Sequence, residues 1–131
     1  MVLESQTESA TLNSSVRKKI LLAALPLIAS LCGCHNLPPS KPLSELTPQE
    51  MDGYRVFQAR CAECHRANSQ RALHGPGLQG LYRLPYLPSG LPANDDRVLA
   101  TIQHGRNTMP ALGNRLDSEE TSNLLAYLHT L

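Results

Sequence analysis

The sequence is short of the side chains that build large hydrophobic cores. Its 131 residues include no Trp, one Phe and four Tyr, but ten Pro. A chain of this length forms one small domain at most. A core with so few large apolar side chains usually needs further stabilisation by a disulfide, a metal or a cofactor. These shortages exclude a multidomain protein and predict a small domain stabilised in one of these ways.

An excess of charge of either sign is also missing. The formal net charge is +1, which does not point to nucleic-acid binding. The chain has 12 basic and 11 acidic residues. Three of the basic residues (17–19) and two of the acidic ones (Glu4 and Glu8) precede residue 34, so residues 34–131 contain nine of each. This balance predicts no strong electrostatic preference for a partner.

The N-terminal apolar run is too short to span a membrane. It extends from Ile20 to Leu31 after the basic residues 17–19, about a dozen residues against the roughly 20 of a membrane-spanning helix. Basic residues, a short apolar run and small residues at its end are typical of an export signal, which we predict over residues 1–33. An uncleaved membrane anchor and a buried core helix are the alternatives.

The end of this signal resembles a bacterial lipobox. Leu31, Gly33 and Cys34 occupy its positions, so we expect Cys34 to be a lipidated N-terminus on the periplasmic side of a bacterial membrane, with several acyl chains as stable anchoring requires. Ordinary cleavage with a soluble product is the alternative. The Pro-rich residues 34–46 predict an extended tether, with a packed loop as the alternative, and residues 47–131 form the predicted domain.

The two cysteines that remain after the N-terminal segment lie three residues apart and are followed by a histidine. Of four cysteines, Cys32 leaves with the signal and Cys34 is the lipid acceptor, which leaves Cys61 and Cys64, directly followed by His65. Cys-x-x-Cys-His is the attachment motif of haem c. Residues three and four apart share a face of a helical turn, so both sulfurs can bond one haem while the imidazole binds its iron.

Three other interpretations of the motif are weaker. A zinc site normally has four ligands, and the sequence has no second Cys pair. A thioredoxin-like pair starts a helix within a β-α-β pattern, and no strand pattern is visible here. A structural disulfide beside an unrelated histidine is the third alternative.

Capping patterns predict three helices. Thr47, Pro48 and Glu50 form a capping box with Pro at the first position, which predicts a helix from 48 to about 60. Asn94 or Asp95 can cap a second helix over about 95–104, which Gly105 ends. A second capping box at residues 117–120 predicts a last helix over about 118–130.

At this point the pattern over residues 49–131 resembles class I monohaem cytochrome c. The resemblance lies in Gly53-x-x-x-Phe57 before the haem motif, in Gly75-Pro76, in the segment 105–110 that contains Met109, and in the apolar end of the last helix. It implies an all-α fold of three to four helices around one covalent haem c. It also implies that helices cross at Gly53, Phe57 and Tyr127.

The resemblance further assigns roles to single residues. Met109 is implied as the distal iron ligand and Pro76 as the carbonyl acceptor for Nδ1–H of His65. Arg83 lies one residue from where the family places a basic residue against a haem propionate. There is no Trp for the usual propionate contact, and Tyr82 or Tyr86 are the substitutes.

Met109 has rivals as the sixth ligand. Met51 is on the same helix as the haem motif, and His35, His74, His104 and His129 are expected at the surface or at helix ends. A packing role is the other alternative for Met109. Iron held by Met and His has no open position, which suits electron transfer and argues against catalysis.

The predicted function is therefore that of an exported electron carrier. Its donor and acceptor are redox proteins, and its membrane contact is the lipid at Cys34. The alternatives are a haem-bearing subunit of a larger dehydrogenase or oxidase, a haem sensor or enzyme with a labile distal ligand, and a haem-free structural lipoprotein. Mitochondrial members of the family dock through a ring of lysines, and that ring is missing here.

Overall fold

The computed structural model describes residues 37–131, and the predicted signal and Cys34 lie outside them. Three α-helices form the architecture: α1 (Pro48–Arg60), α2 (Asp95–His104) and α3 (Ser118–Leu128). Within this part of the chain there is no β-strand, only the isolated bridges Tyr86–Pro92 and Arg106–Met109. The prediction of a small all-α fold is confirmed.

The helix starts follow the predicted capping chemistry. Thr47 Oγ1 accepts a hydrogen bond from the Glu50 backbone N–H at 3.3 Å, and the Glu50 carboxylate accepts one from the Thr47 N–H at 2.7 Å. Asp117 and Glu120 repeat this reciprocal pair at α3. Each cap satisfies backbone donors that have no partner inside the helix. The end of α3 falls at Leu128, slightly earlier than predicted, because His129 and Thr130 form a turn.

The core is centred on the crossing of α1 and α3. Phe57 and Leu124 are almost fully buried, and the rings of Phe57 and Tyr127 lie 5.5 Å apart. Gly53 permits the crossing, since a Cβ there would lie 2.5 Å from the Asn123 carbonyl carbon and 2.8 Å from Tyr127 Cβ. The implied crossing is therefore confirmed. From α2, Val98 and Ile102 join the same core.

Residues 37–46 pack against the domain, so this part of the predicted tether over 34–46 takes the form of the packed loop that was its alternative. The Lys41 backbone N–H donates to the Thr130 carbonyl at 2.8 Å, and Lys41 Nζ contacts the Glu50 carboxylate at 2.7 Å. Leu37 lies directly against Gly80, and a short 3₁₀ turn spans Leu43–Glu45. Pro-rich composition indicated an extended chain but did not reveal these partners, because they are distant in sequence.

Candidate haem site

The Cys-x-x-Cys-His motif continues the direction of α1 by one further turn. The Cys61 N–H donates to the Phe57 carbonyl at 2.8 Å, and the Cys61 carbonyl accepts from the backbone N–H groups of Cys64 and His65 at 3.0 and 2.9 Å. These bonds span three and four residues, as in a helical turn. The motif therefore has the local conformation that its spacing requires for a shared face.

The two cysteines of the motif are half-buried and form no disulfide with each other. Burial, and to a smaller extent the neighbouring Cys64, raise the pKa of the Cys61 thiol to about 11. In the chain without haem, this burial favours the neutral thiol over the thiolate.

The orientation of His65 is fixed by the Gly75–Pro76 loop. His65 Nδ1 lies 2.9 Å from the Pro76 carbonyl oxygen. A carbonyl can only accept, so Nδ1 carries the proton and Nε2 keeps the lone pair that a metal needs. The loop is tied to the motif by the Gly75 N–H, which donates to the Cys64 carbonyl at 2.8 Å.

Gly75 provides the space in which the imidazole lies. A Cβ at this position would be 2.5 Å from His65 Cε1 and 2.9 Å from both ring nitrogens. Any larger residue would displace either the ring or the loop, because ordinary contacts begin near 3.5 Å. The side chain of Leu73, two residues earlier, remains 44% exposed beside this loop and offers apolar surface.

Met109 lies in a tight turn after α2. Its backbone N–H donates to the Arg106 carbonyl at 2.9 Å and its carbonyl accepts from the Arg106 N–H at 3.1 Å, with Asn107 at φ 52° between them. Gly105, at φ 70°, lies against this turn, and a Cβ there would be 2.5 Å from the Met109 carbonyl oxygen. The Met109 side chain is half-buried and packs against the core.

The other sequence candidates lie apart from this arrangement. Arg83 is exposed, and its side chain has no hydrogen bond or ion pair among residues 37–131. His74 and His104 are exposed, and Met51 is half-buried on α1. His35 and Cys34 precede the described residues.

A cluster that the sequence did not indicate joins α2 to the end of α3. The rings of Tyr82 and His129 stack with centroids 3.8 Å apart, and His129 Nε2 lies 2.8 Å from the Asp95 carboxylate. Burial, with the nearby Asp95 carboxylate, raises the pKa of Tyr82 far above its usual value. No local pattern links these three positions, so only the folded chain brings them together. The other substitute for Trp, Tyr86, is 61% exposed.

The donor set fits a haem rather than a bare metal ion. In residues 37–131 no three side chains among His, Cys, Asp and Glu could hold a metal ion together. The motif instead offers two cysteine sulfurs that are not used in a disulfide and one imidazole whose Nε2 has no protein partner, and Met109 offers a thioether. These are the groups that attach and ligate haem c.

A helical domain with this motif defines the protein as a class I monohaem cytochrome c, which is an electron carrier and not an enzyme. The family model described as "Cytochrome C oxidase, cbb3-type, subunit III" matches residues 48–128, and the chain belongs to this family. The cofactor of the domain is one covalently bound haem c. The predictions of class and cofactor are confirmed.

Relatives of known name match more than half of the chain. Cytochrome c6 from Diacronema lutheri is 27% identical over 77 residues, 59% of this chain and 89% of its own. Cytochrome c6 from Bryopsis maxima is 33% identical over 78 residues, 58% of this chain and 84% of its own. The solved cytochrome c6 from the diatom Phaeodactylum tricornutum is 31% identical, covers 60% of this chain and 88% of its own, and superposes with a TM-score of 0.44.

Proposed function

We propose that this cytochrome is an exported, lipid-anchored carrier that moves single electrons between redox partners at a bacterial membrane. In this proposal Cys61 and Cys64 hold the haem through two thioether bonds, and His65 and Met109 are its axial ligands. The observation that carries the proposal is the 2.9 Å contact between His65 Nδ1 and the Pro76 carbonyl. It fixes the imidazole tautomer with Nε2 free, as an axial ligand requires.

The proposed role of Met109 is supported by its setting. The two backbone hydrogen bonds to Arg106 hold the turn, and Gly105 allows the chain to return closely upon itself. A half-buried methionine held in this way loses little further conformational freedom on ligation.

The chain's own groups explain why electron transfer is favoured. Bound haem supplies an iron that changes between the ferric and ferrous states, and a thioether ligand favours the ferrous state. If His65 and Met109 both bind the iron, no ligand position would be left for a substrate. The hydrogen bond to the Pro76 carbonyl would hold the His65 ring in place while the iron changes state, which would keep the reorganisation small.

An optical and electrochemical experiment tests these ligands. Reductive titration of the holoprotein is expected to show one electron per haem, and Met109→Ala is expected to change the spectrum. Met51→Ala is the matched control, since it removes a half-buried methionine from α1. If Met51→Ala alters the spectrum and Met109→Ala does not, the assignment of the distal ligand is wrong.

The proposed location rests on the N-terminal sequence. Residues 1–33 would be removed as an export signal and Cys34 acylated, leaving only residues 34–36 as spacer before the packed segment at Leu37. Among residues 37–131, no helix has the length and apolarity to cross a bilayer. We expect the full chain in the membrane fraction after expression in a bacterium, and Cys34→Ser in the soluble periplasmic fraction. Membrane retention of Cys34→Ser would refute lipid anchoring at this residue.

Arg83 keeps its proposed role as a propionate contact. Its guanidinium is exposed and unpaired within the described part of the chain, so it is available to an anionic group. Arg83→Gln is expected to change the pH dependence of the reduction potential, whereas an unchanged dependence would remove Arg83 from the site.

The second candidate function is a fixed haem-bearing subunit of a larger oxidase or dehydrogenase. The observation that favours it is the description of the matching family as subunit III of a cytochrome c oxidase. Affinity purification of the full chain from detergent-solubilised membranes distinguishes the two functions. A stoichiometric, salt-resistant complex favours the subunit, and a monomer that reduces or oxidises added partners favours the carrier.

A further inference from the structure

The chain between the haem motif and α2 contains an uncharged stretch with exposed apolar side chains. Residues 84–94 include no Asp, Glu, Lys, Arg or His, and we call them the apolar loop. Five large apolar side chains are exposed among residues 37–131, and three of them belong to this loop, namely Leu84, Tyr86 and Leu91. Single apolar residues are common on protein surfaces, but a cluster of them marks an interaction site.

Hydrogen bonds hold the apolar loop in one backbone conformation. The Leu87 N–H donates to the Leu91 carbonyl at 2.7 Å, and the Gly90 N–H donates to the Leu87 carbonyl at 2.8 Å. Nearer the base of the loop, the Ala93 N–H donates to the Pro85 carbonyl at 3.3 Å. A Cβ at Gly90 would meet no atom within 4 Å, so the tip of the loop lies in open space. The exposed side chains are therefore presented by a closed turn.

The packing of the domain does not require these side chains. Leu87 attaches the apolar loop to the domain, because it is half-buried and packs against the core. Leu84, Tyr86 and Leu91 remain 42%, 61% and 38% exposed. Because apolar surface gains free energy when it leaves water, a surface that covers all three would stabilise the loop.

The apolar loop begins beside the point where the N-terminal segment meets the domain. Leu37 packs directly against Gly80, and the Gly80 carbonyl accepts from the Leu84 N–H at 3.2 Å. Gln79 Nε2 donates to the Pro38 carbonyl at 3.4 Å and holds the same entry point. Leu84 therefore lies one backbone turn from the residue that Leu37 contacts.

Covalent geometry limits how far Cys34 can lie from this entry point. Cys34 is three residues before Leu37, and three trans peptide units span at most about 11 Å. A lipid on Cys34 would therefore keep Leu37 within about 11 Å of the membrane surface. A long spacer would let every face of the domain meet the membrane, whereas this short one favours the face that carries Leu37 and the start of the apolar loop.

We propose that the apolar loop is a membrane-contacting surface, which inserts Leu84, Tyr86 and Leu91 between the headgroups of the bilayer that anchors Cys34. The proposal rests on the proposed function, since it requires that lipid anchor. Leucine supplies apolar surface, and tyrosine combines an apolar ring with a hydroxyl that stays hydrated, as is common at membrane–water interfaces. A membrane is favoured over a protein partner because the short spacer holds the membrane, and no protein, beside the loop. The anchor also makes the contact intramolecular, so a weak contact is sufficient to orient the domain.

The accessibility of single cysteines tests this contact in the holoprotein. With Cys61 and Cys64 in thioether bonds and Cys34 acylated, a new cysteine is the one reactive thiol. We would make Tyr86→Cys and Leu91→Cys and measure their reaction with a charged, membrane-impermeant maleimide in phosphatidylcholine vesicles. The same variants with Cys34→Ser, exported behind a signal of the non-lipoprotein type, are the lipid-free reference in solution. We expect reaction on the order of tenfold slower in vesicles than in solution, because the membrane excludes both the reagent and the thiolate.

The matched control is Leu73→Cys. Leu73 is an exposed leucine like Leu91, at 44% against 38%, but it lies in the loop beside the haem motif. We expect it to react equally fast in vesicles and in solution. High salt should leave the protection of residues 86 and 91 unchanged, since a contact without charges is not screened.

Four results would overturn the proposal. They are equal protection of residues 73, 86 and 91, no protection of residue 86 or of residue 91 in vesicles, loss of protection in high salt, and slow reaction of either loop cysteine in the lipid-free reference. The last result would show that the haem or a second copy of the chain covers the loop. Mass spectrometry of the N-terminal peptide separates these failures from that of the proposed function, because an unacylated Cys34 would contradict the anchor itself.

Discussion

The close crossing of α1 and α3 at Gly53 makes a prediction whose sign depends on geometry. In an open helix, Gly→Ala stabilises by about 1 kcal/mol because alanine restricts the unfolded chain and favours the helix. At Gly53 the new Cβ would lie 2.5 Å from the Asn123 carbonyl carbon and 2.8 Å from Tyr127 Cβ. Ordinary contacts begin near 3.5 Å and the Asn123 carbonyl oxygen would be nearer still, so the helices must separate by at least roughly 1 Å.

That separation acts on the best-packed part of the core. The ring contacts of Tyr127 with Tyr54 and Phe57, each with centroids 5.5 Å apart, loosen together, and aromatic pairs contribute about 0.5–1.5 kcal/mol each. Overpacking a core costs about 1–3 kcal/mol. After the propensity gain is subtracted, we expect Gly53→Ala to destabilise the holoprotein by about 2 kcal/mol.

Urea unfolding followed by far-ultraviolet circular dichroism measures this free energy. Ala59→Gly is the control, because residue 59 is exposed on the same helix and reports the propensity effect alone, a loss of about 1 kcal/mol. If Gly53→Ala instead raises the free energy of unfolding, the helices do not cross as closely as described and the reasoning fails.

Three further changes test the site and its support. Met109→Ala is expected to lower the reduction potential and let imidazole or carbon monoxide bind the iron; a spectrum identical to that of the parent would contradict ligation by Met109. Cys64→Ser is expected to leave haem attached through Cys61 alone, so the denatured, reduced haem–pyridine complex should show the red-shifted absorption band of a haem that keeps one vinyl group. Lys41 and the Thr47 N–H lower the pKa of Glu50 from 4.5. The Glu50 carboxylate therefore stabilises the fold at pH values above its pKa in the unfolded chain, and this stabilisation is lost as the pH falls through its pKa in the folded protein. Glu50→Gln should therefore be less stable than the parent at pH 7 but not in acid, and an equal difference at both pH values would argue against this linkage.

Local chemistry made the helices predictable. Thr47 and Asp117 each precede a reciprocating Glu, and Gly105 follows α2, so the helix boundaries could be obtained from neighbouring residues alone. Gly53 could also be interpreted from its spacing to Phe57, because only a small residue allows close helix approach. The motif at residues 61–65 is local in the same sense.

Long-range contacts were not predictable from such patterns. Residues 37–46 read as a tether because proline favours extended chain, but the hydrogen bond from Lys41 to Thr130 joins positions at opposite ends of the domain. The stacking of Tyr82 on His129 and the pairing of His129 with Asp95 likewise depend on how α2 and α3 meet.

The measurement that tests the central claim most directly is the optical spectrum of the full chain, expressed with haem maturation machinery and examined oxidised, reduced and after denaturing extraction. We expect the haem to remain with the denatured chain, a sharp low-spin c-type band on reduction, and the weak near-red methionine–iron band on oxidation. A haem that is extracted by denaturant, or a high-spin spectrum of the native protein, would contradict a covalent haem ligated by His65 and Met109.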